Sequence, residues 1–166
     1  MMSDVTRVRT GIGWDSHRLE PGRPLILGGV RLEHPEGLGL GGHSDADVLT
    51  HAVIDALLGA AGLDDIGTHF PDTDERWRGA DSLSLLREVA GMLSEMGLAV
   101  WHVDATIVME RPKAGPRKHE MRDNLAGALG IAHMAVNVKA TTGEGMGFVG
   151  REEGVAAQAV ATLAEV

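Results

Sequence analysis

Asp15 and His17 stand two positions apart in the stretch GWDSH. If that stretch lies on a β-strand, residues i and i+2 project from the same face, and a carboxylate and an imidazole are aimed at one point. His51, within HSDADVLTHA, supplies a third donor. Two nitrogens and one oxygen leave a zinc ion one open tetrahedral position, the arrangement of a catalytic rather than a structural site. A plainer reading pairs His51 with Asp47 or Asp55, four residues away on the surface of its own helix.

Two further clusters carry chemistry. His43-Ser44-Asp45 opens the segment that leads to His51, where backbone N–H groups at a helix start would favour an anion and His43 and Ser44 would add donors; simple helix capping is the competing reading. The stretch KATTGEGMGFVGR brings together Thr141, Thr142, Glu144 and Arg151 among glycines, a mixture suited to phosphate oxygens and a hard cation. The acids of DDIGTHFPDTD are explained as well by turn chemistry as by a site. A phosphate ester or diphosphate substrate would unite these clusters.

Elements must hold these residues in place. Val8, Thr10, Ile12 and Trp14 alternate, which predicts a strand ending near Asp15. RPLILGGVRL reads as a hairpin around Gly28-Gly29. A helix follows from Ser44, with Asp47 completing a capping box and Gly62 as its stop. Asp81 caps a second helix that Gly97 closes, and a third follows Pro116 and ends at Gly130. LAVWHVDATIVME and AVNVKATT read as strands. The alanine-rich tail, REEGVAAQAVATLAEV, fits either period. The order predicts an α/β or α+β sheet with helices on one face.

The 166 residues fit one domain, 1–166, with no cysteine and therefore no disulfide or thiolate chemistry. Fifteen basic against 24 acidic residues, and five aromatics, argue against nucleic acid as a partner. No apolar run reaches the roughly 20 residues of a membrane span, and the start lacks a secretory h-region, so the expected location is the cytoplasm.

The segments DSH, GGHSDADVLTHAVIDALLGAAGLDDIG, FPDTD, RGADS, PK and VKATTGEGMGFVGREEG, in this order, closely resemble the 2-C-methyl-D-erythritol 2,4-cyclodiphosphate synthase family. The resemblance runs from about Arg9 to the C-terminus, leaving residues 1–8 as an expected flexible extension. It implies an α+β, ferredoxin-like subunit assembled as a homotrimer with active sites between subunits, and it makes the tail a strand. The implied reaction converts 4-diphosphocytidyl-2-C-methyl-D-erythritol 2-phosphate to the cyclic diphosphate with release of CMP.

By the same resemblance, Asp15, His17 and His51 would hold zinc, and Glu144 a magnesium or manganese ion. His43 and Thr142 match transition-state stabilisers, and Ser44 a phosphate contact. Asp65, Ile66 and Gly67, then Phe70, Pro71, Asp72, Thr73 and Asp74, match the loop that holds the methylerythritol part. Met109, Glu110, Arg111, Pro112, Lys113, Ala114 and Gly115, with Ala140, Thr141, Thr142 and Gly143, match the cytidine side. Phe148 and Arg151 match further substrate contacts, and Arg151 with Glu153 the mouth of a threefold cavity that would take an isoprenoid diphosphate. Gly143 replaces the family's usual third threonine before the glutamate, and in the cytidine loop Ala114-Gly115 replace bulkier apolar residues, departures that imply weaker cytidine binding. Two other readings stay open: a zinc phosphoesterase with Asp65 or Asp45 as base, and a non-catalytic trimer that binds an isoprenoid diphosphate.

Overall fold

Strand β1 (Val8–Pro21) is longer than its apolar alternation predicts and carries Asp15 and His17 in its middle. The computed structural model describes residues 7–166, so most of the expected extension lies outside the described residues, while Val8 already pairs with Ala164. Val8, Ile12 and Trp14 do form one face, but it is the exposed one. The inward face is Gly11, Gly13, Asp15 and His17, on which helix α1 (Val48–Ala61) lies. Glycine leaves no apolar signal for a periodicity argument to read, so the strand was legible and its core face was not.

The glycines on β1 set the distance between strand and helix. A Cβ on Gly11 would stand 2.2 Å from the Ala56 carbonyl oxygen, and one on Gly13 would stand 1.9 Å from that of Ala52. Only a bare backbone permits this approach. It brings His51, on the first turns of α1, down to the level of Asp15.

β1 is flanked by β4 (Leu38–Leu40) and by β7 (Gly154–Glu165), both antiparallel. β7 in turn pairs antiparallel with β5 (Leu98–Val108), and β5 pairs in parallel with β6 (Val136–Thr141), so the order is β4-β1-β7-β5-β6. The alanine-rich tail is therefore a central strand whose residues Val155, Ala157, Ala159, Ala161 and Leu163 are at most 1% exposed, packed under α1. Small side chains are what a strand buried beneath a close-lying helix can accommodate.

Helices α3 (Ser82–Glu95) and α4 (Lys118–Leu129) pack with α1 on the same face, so the expected α+β architecture with helices on one face holds. The ferredoxin-like subtype does not. That pattern is βαββαβ, whereas here the long strands follow βαβαββ, because α4 joins β5 to β6 and β7 returns into the middle of the sheet after only a one-turn helix, α5 (Gly147–Gly150). A separate hairpin, β2 (Leu25–Leu27) and β3 (Val30–Leu32), turns at Gly28 and Gly29, whose φ values of 56° and 71° suit glycine.

The start of α1 differs from the expected capping box. Asp47 is the N-cap, accepting from the Thr50 N–H at 3.0 Å, and Ser44 lies in the loop before it. The fully buried Asp47 carboxylate also accepts from the N–H groups of Gly28 at 2.9 Å and Gly29 at 2.8 Å, and from the Thr50 hydroxyl at 2.8 Å. One side chain thus fixes helix and hairpin together. Asp81 caps α3, and Gly62 and Gly130 close α1 and α4 in the left-handed conformation, as expected.

Candidate functional site

Asp15, His17 and His51 each present a ligand atom, and these atoms lie within 4.8 Å of one another. The Asp15 Oδ2 stands 2.9 Å from His17 Nε2 and 3.1 Å from His51 Nδ1. Zinc bonds of about 2.0–2.1 Å imply tetrahedral edges of roughly 3.3 Å, so an ion of that size fits with small adjustments. The second ring nitrogens are also occupied. His17 Nδ1 donates to the Gly41 carbonyl oxygen at 2.7 Å, and His51 Nε2 faces the Ser82 hydroxyl at 2.8 Å. Such outer contacts select the tautomer of a metal-binding histidine.

The charges support the same reading. Burial pushes the Asp15 carboxyl up, but hydrogen bonds from His17 and His51 and their charges outweigh it and hold Asp15 at about 2. Burial pushes His17 down, and its contacts with Asp15 and the Gly41 carbonyl more than reverse that, so His17 is raised. A carboxylate between two imidazoles is a place for a cation, whether proton or metal ion.

The triad forms the floor of a cavity of about 420 Å³. His43 and Ser44 line one side from the loop before α1. Ile66, Gly67, Phe70, Pro71 and Asp72 line the other. This second wall is the segment expected to be a loop, and it contains a short helix, α2 (Ile66–His69), capped by Asp65 through the Thr68 N–H at 2.9 Å. Asp55 on α1 accepts from the Ile66 N–H at 2.8 Å and ties the wall to the helix that carries His51. Asp74 caps the next turn and pairs with Arg76, beside Thr73, so both stand behind the lining rather than in it. Trp77 and Leu85 also line the cavity, with Trp77 packed edge-on against Phe70 at 5.0 Å; neither residue was nominated from sequence.

The other nominated residues gather elsewhere. Met109, Lys113, Ala114, Gly115, Ala140, Thr141 and Thr142 line a second cavity of about 180 Å³, together with Ile107. The two cavities share no lining residue. Glu110 accepts from the Gly143 N–H at 2.6 Å, and Arg111, before the cis Pro112, pairs with Glu152 at 2.6 Å and Glu36 at 3.2 Å. Glu144 is exposed at a φ of 55°, its N–H donating to the Thr142 hydroxyl at 3.1 Å. Phe148 lines a third recess with His17, Arg18 and Glu153, while Arg151 pairs with Glu153 at 3.2 Å. One chain therefore brings Asp15, His17 and His51, His43, Ser44 and the α2 wall together, and leaves Thr142, Glu144 and the residues of the second cavity apart. Among the described residues, no helix is long and apolar enough to cross a membrane.

Comparison with known proteins gives a consistent picture. The pattern of the YgbB family matches residues 8–164. The chain is 61% identical over 156 residues to the 2-C-methyl-D-erythritol 2,4-cyclodiphosphate synthase of Salinibacter ruber, covering 94% of this chain and 98% of the relative. It is 64% identical over 156 residues to the bifunctional enzyme IspD/IspF of Anaeromyxobacter dehalogenans, of which the match spans 40%, and 94% of this chain. The chain thus spans about two-fifths of that bifunctional relative's length. A solved 2C-methyl-D-erythritol-2,4-cyclodiphosphate synthase in a CDP-bound form superposes with a TM-score of 0.84 at 39% identity, covering 93% of this chain and 99% of that one.

Proposed function

The chain belongs to the YgbB family, and from that premise we propose that it converts 4-diphosphocytidyl-2-C-methyl-D-erythritol 2-phosphate to 2-C-methyl-D-erythritol 2,4-cyclodiphosphate, releasing CMP. It would act in the non-mevalonate isoprenoid pathway, in the cytoplasm, as a phosphorus–oxygen lyase. The observation that carries this reading is the clustering of Asp15, His17 and His51 at the floor of a cavity whose walls offer donors for phosphate and a wall for a small polyol.

The reaction is an intramolecular displacement. An oxygen of the 2-phosphate bonds to the β-phosphorus as the bond from that phosphorus to the CMP oxygen breaks, and the electron pair leaves on CMP. Such a transfer asks the protein mainly for alignment and charge stabilisation. Zinc held by Asp15, His17 and His51, and magnesium or manganese held by Glu144, would supply Lewis-acid stabilisation of phosphate charge. His43 and Ser44, beside the triad, would donate to phosphate oxygens. The α2 wall, with Ile66, Gly67, Phe70, Pro71 and Asp72 lining the cavity and Asp65, Thr73 and Asp74 supporting it from behind, would hold the methylerythritol part and exclude water. Ala140, Thr141, Thr142 and the segment Met109 to Gly115 would receive cytidine.

These two halves lie in separate cavities on one chain, which supports a homotrimer in which one subunit's metal end meets a neighbour's nucleotide end. Ile12 lies opposite Val160 on the helix-free face of the sheet, 64% and 39% exposed, next to Trp14 at 54%. An apolar sheet face of this kind is suited to burial between subunits. Phe148, Arg151 and Glu153 would then stand near the axis, where an isoprenoid diphosphate could be held.

Phosphorus NMR of the protein with the substrate, zinc and magnesium, beside a chelator-treated control, tests the proposal. A cyclic diphosphate and CMP are expected only in the metal-replete sample. Free phosphates instead would make the protein a metallophosphoesterase, and unchanged substrate would overturn the assignment.

A further inference from the structure

We propose that Ser82 and Asp45 act as a positioning relay that sets the tautomer and orientation of His51 as a metal ligand. The inference rests on the metal-site reading above and concerns two residues that belong neither to the cavity lining nor to the Asp15, His17 and His51 cluster. His51 Nε2 stands 2.8 Å from Ser82 Oγ, and Ser82 is fully buried at the first position of α3. The same hydroxyl meets Asp45 Oδ1 in a short hydrogen bond. Asp45 Oδ2 accepts from the Ser82 N–H at 3.0 Å, and Asp45 Oδ1 also accepts from the Asp47 N–H at 3.1 Å.

The direction of each bond follows from counting protons. An ionised carboxylate can only accept, so the single hydroxyl proton of Ser82 goes to Asp45. Ser82 Oγ is left with lone pairs facing His51, and Nε2 must carry the proton. Nδ1, which points at Asp15 Oδ2, is then the nitrogen that gives up its proton when a metal binds. The relay thus delivers the imidazole lone pair to the metal position and fixes the ring plane. Ser44 Oγ also lies 3.3 Å from Nε2, but it already accepts from the Ala46 N–H and is the more distant partner.

Helix capping does not account for this arrangement. The N-cap of α3 is Asp81, which accepts from the Leu83 N–H and from the Ser84 hydroxyl, both at 3.1 Å. The Ser82 hydroxyl therefore takes no part in that cap, and its oxygen faces His51. Asp45 comes from the loop before α1 and Ser82 from α3, so the relay also registers two elements against the helix that carries the ligand.

The test uses the full chain and zinc alone as the probe. Zinc affinity is measured by competition with a chromophoric chelator for the wild type, Ser82→Ala, Asp45→Asn and His51→Ala, with thermal melting of the metal-free proteins as a check of folding. Nitrogen-15 NMR of the zinc-loaded wild type and Ser82→Ala proteins reports which ring nitrogen of His51 is protonated. The expected result is zinc binding weakened about 10–100-fold in both relay variants, with an Nε2 proton that exchanges slowly in the wild type and rapidly in Ser82→Ala. Zinc affinity within about twofold of wild type in both variants, or a wild-type His51 protonated on Nδ1, overturns the relay. If His51→Ala also binds zinc like the wild type, it is the metal-site reading that has failed.

Discussion

Gly13 and Ala52 are in backbone contact: a Cβ on Gly13 would stand 1.9 Å from the Ala52 carbonyl oxygen, and Ala52 is the neighbour of His51. The separation of Asp15 from His51 is thus set by a strand with no side chain at that point. Gly13→Ala forces α1 away from β1, and overpacking of this kind costs roughly 1–3 kcal/mol or more. We expect a lower midpoint in denaturant together with weaker zinc binding, measured by urea unfolding and chelator competition. A variant that loses stability and keeps wild-type zinc affinity would show that helix placement does not control the site.

His51→Ala should remove zinc and turnover while the folded state survives. His51 is 7% exposed, and loss of its ring opens a small polar space rather than a hole in the apolar core. Metal analysis and circular dichroism check this together, and full turnover in the variant would show the zinc assignment to be wrong.

The Asp15 and His17 titrations predict the pH response. The carboxyl is depressed to about 2 from 3.8, so its contribution to stability is present above 3.8 and is lost as pH falls toward 2. The imidazole is raised from 6.5, so its contribution is full below 6.5 and is lost as pH rises through the raised value. Metal-free protein therefore gains most from this pair between about pH 4 and 6.5. Zinc needs His17 Nε2 without its proton, so zinc affinity should fall, and proton release on binding should rise, as pH drops below the raised value. Calorimetry in two buffers of different ionisation enthalpy measures this, and an affinity unchanged from about pH 8 to pH 5.5 would count against it.

How far the sequence could be read depended on what each residue's signal was. Caps and stops such as Asp81, Gly62 and Gly130 were legible because their chemistry is local. Asp15 and His17 were legible because period two is enough to put them on one face. Ser82, Trp77 and Leu85 were not, since nothing near them in sequence marks a serine, tryptophan or leucine as part of a site formed by chain segments far apart. The N-cap was misplaced from Asp47 to Ser44 for a related reason: Asp47 is selected partly by Gly28 and Gly29, which lie 19 and 18 residues away. The separation of the two cavities on one chain is a property of the fold alone.

Asp47 illustrates the energetic weight of such a long-range choice. Its carboxyl is raised by burial, with the Asp45 charge adding to the rise, and hydrogen bonds from Thr50, Gly29 and Gly28 opposing it. Asp47→Ala would leave the buried N–H groups of Thr50 and Gly28, and that of the more exposed Gly29, without their acceptor and remove a helix cap. Each unsatisfied group costs about 1–3 kcal/mol, so a loss of roughly 3 kcal/mol or more is expected in urea unfolding. A loss below about 1 kcal/mol would mean that water replaces the carboxylate.

Glu110 and Gly143 form the last testable pair. The Gly143 N–H donates to Glu110 Oε1 at 2.6 Å. A Cβ at Gly143 would stand 3.1 Å from that same oxygen and 3.0 Å from the Met146 carbonyl oxygen, so side-chain bulk at 143 competes with the Glu110 contact. The bond joins the end of β5 to the turn that carries Thr142 and Glu144. Glu110→Ala releases the turn, and we expect a several-fold rise in KM for substrate with a higher magnesium requirement, while zinc affinity stays at the wild-type level. Glu110→Gln keeps an acceptor oxygen and should recover most of the loss. Steady-state kinetics across a magnesium titration separates the two variants. Equal impairment in both would show that the charge of Glu110, rather than its grip on Gly143, is what the turn requires.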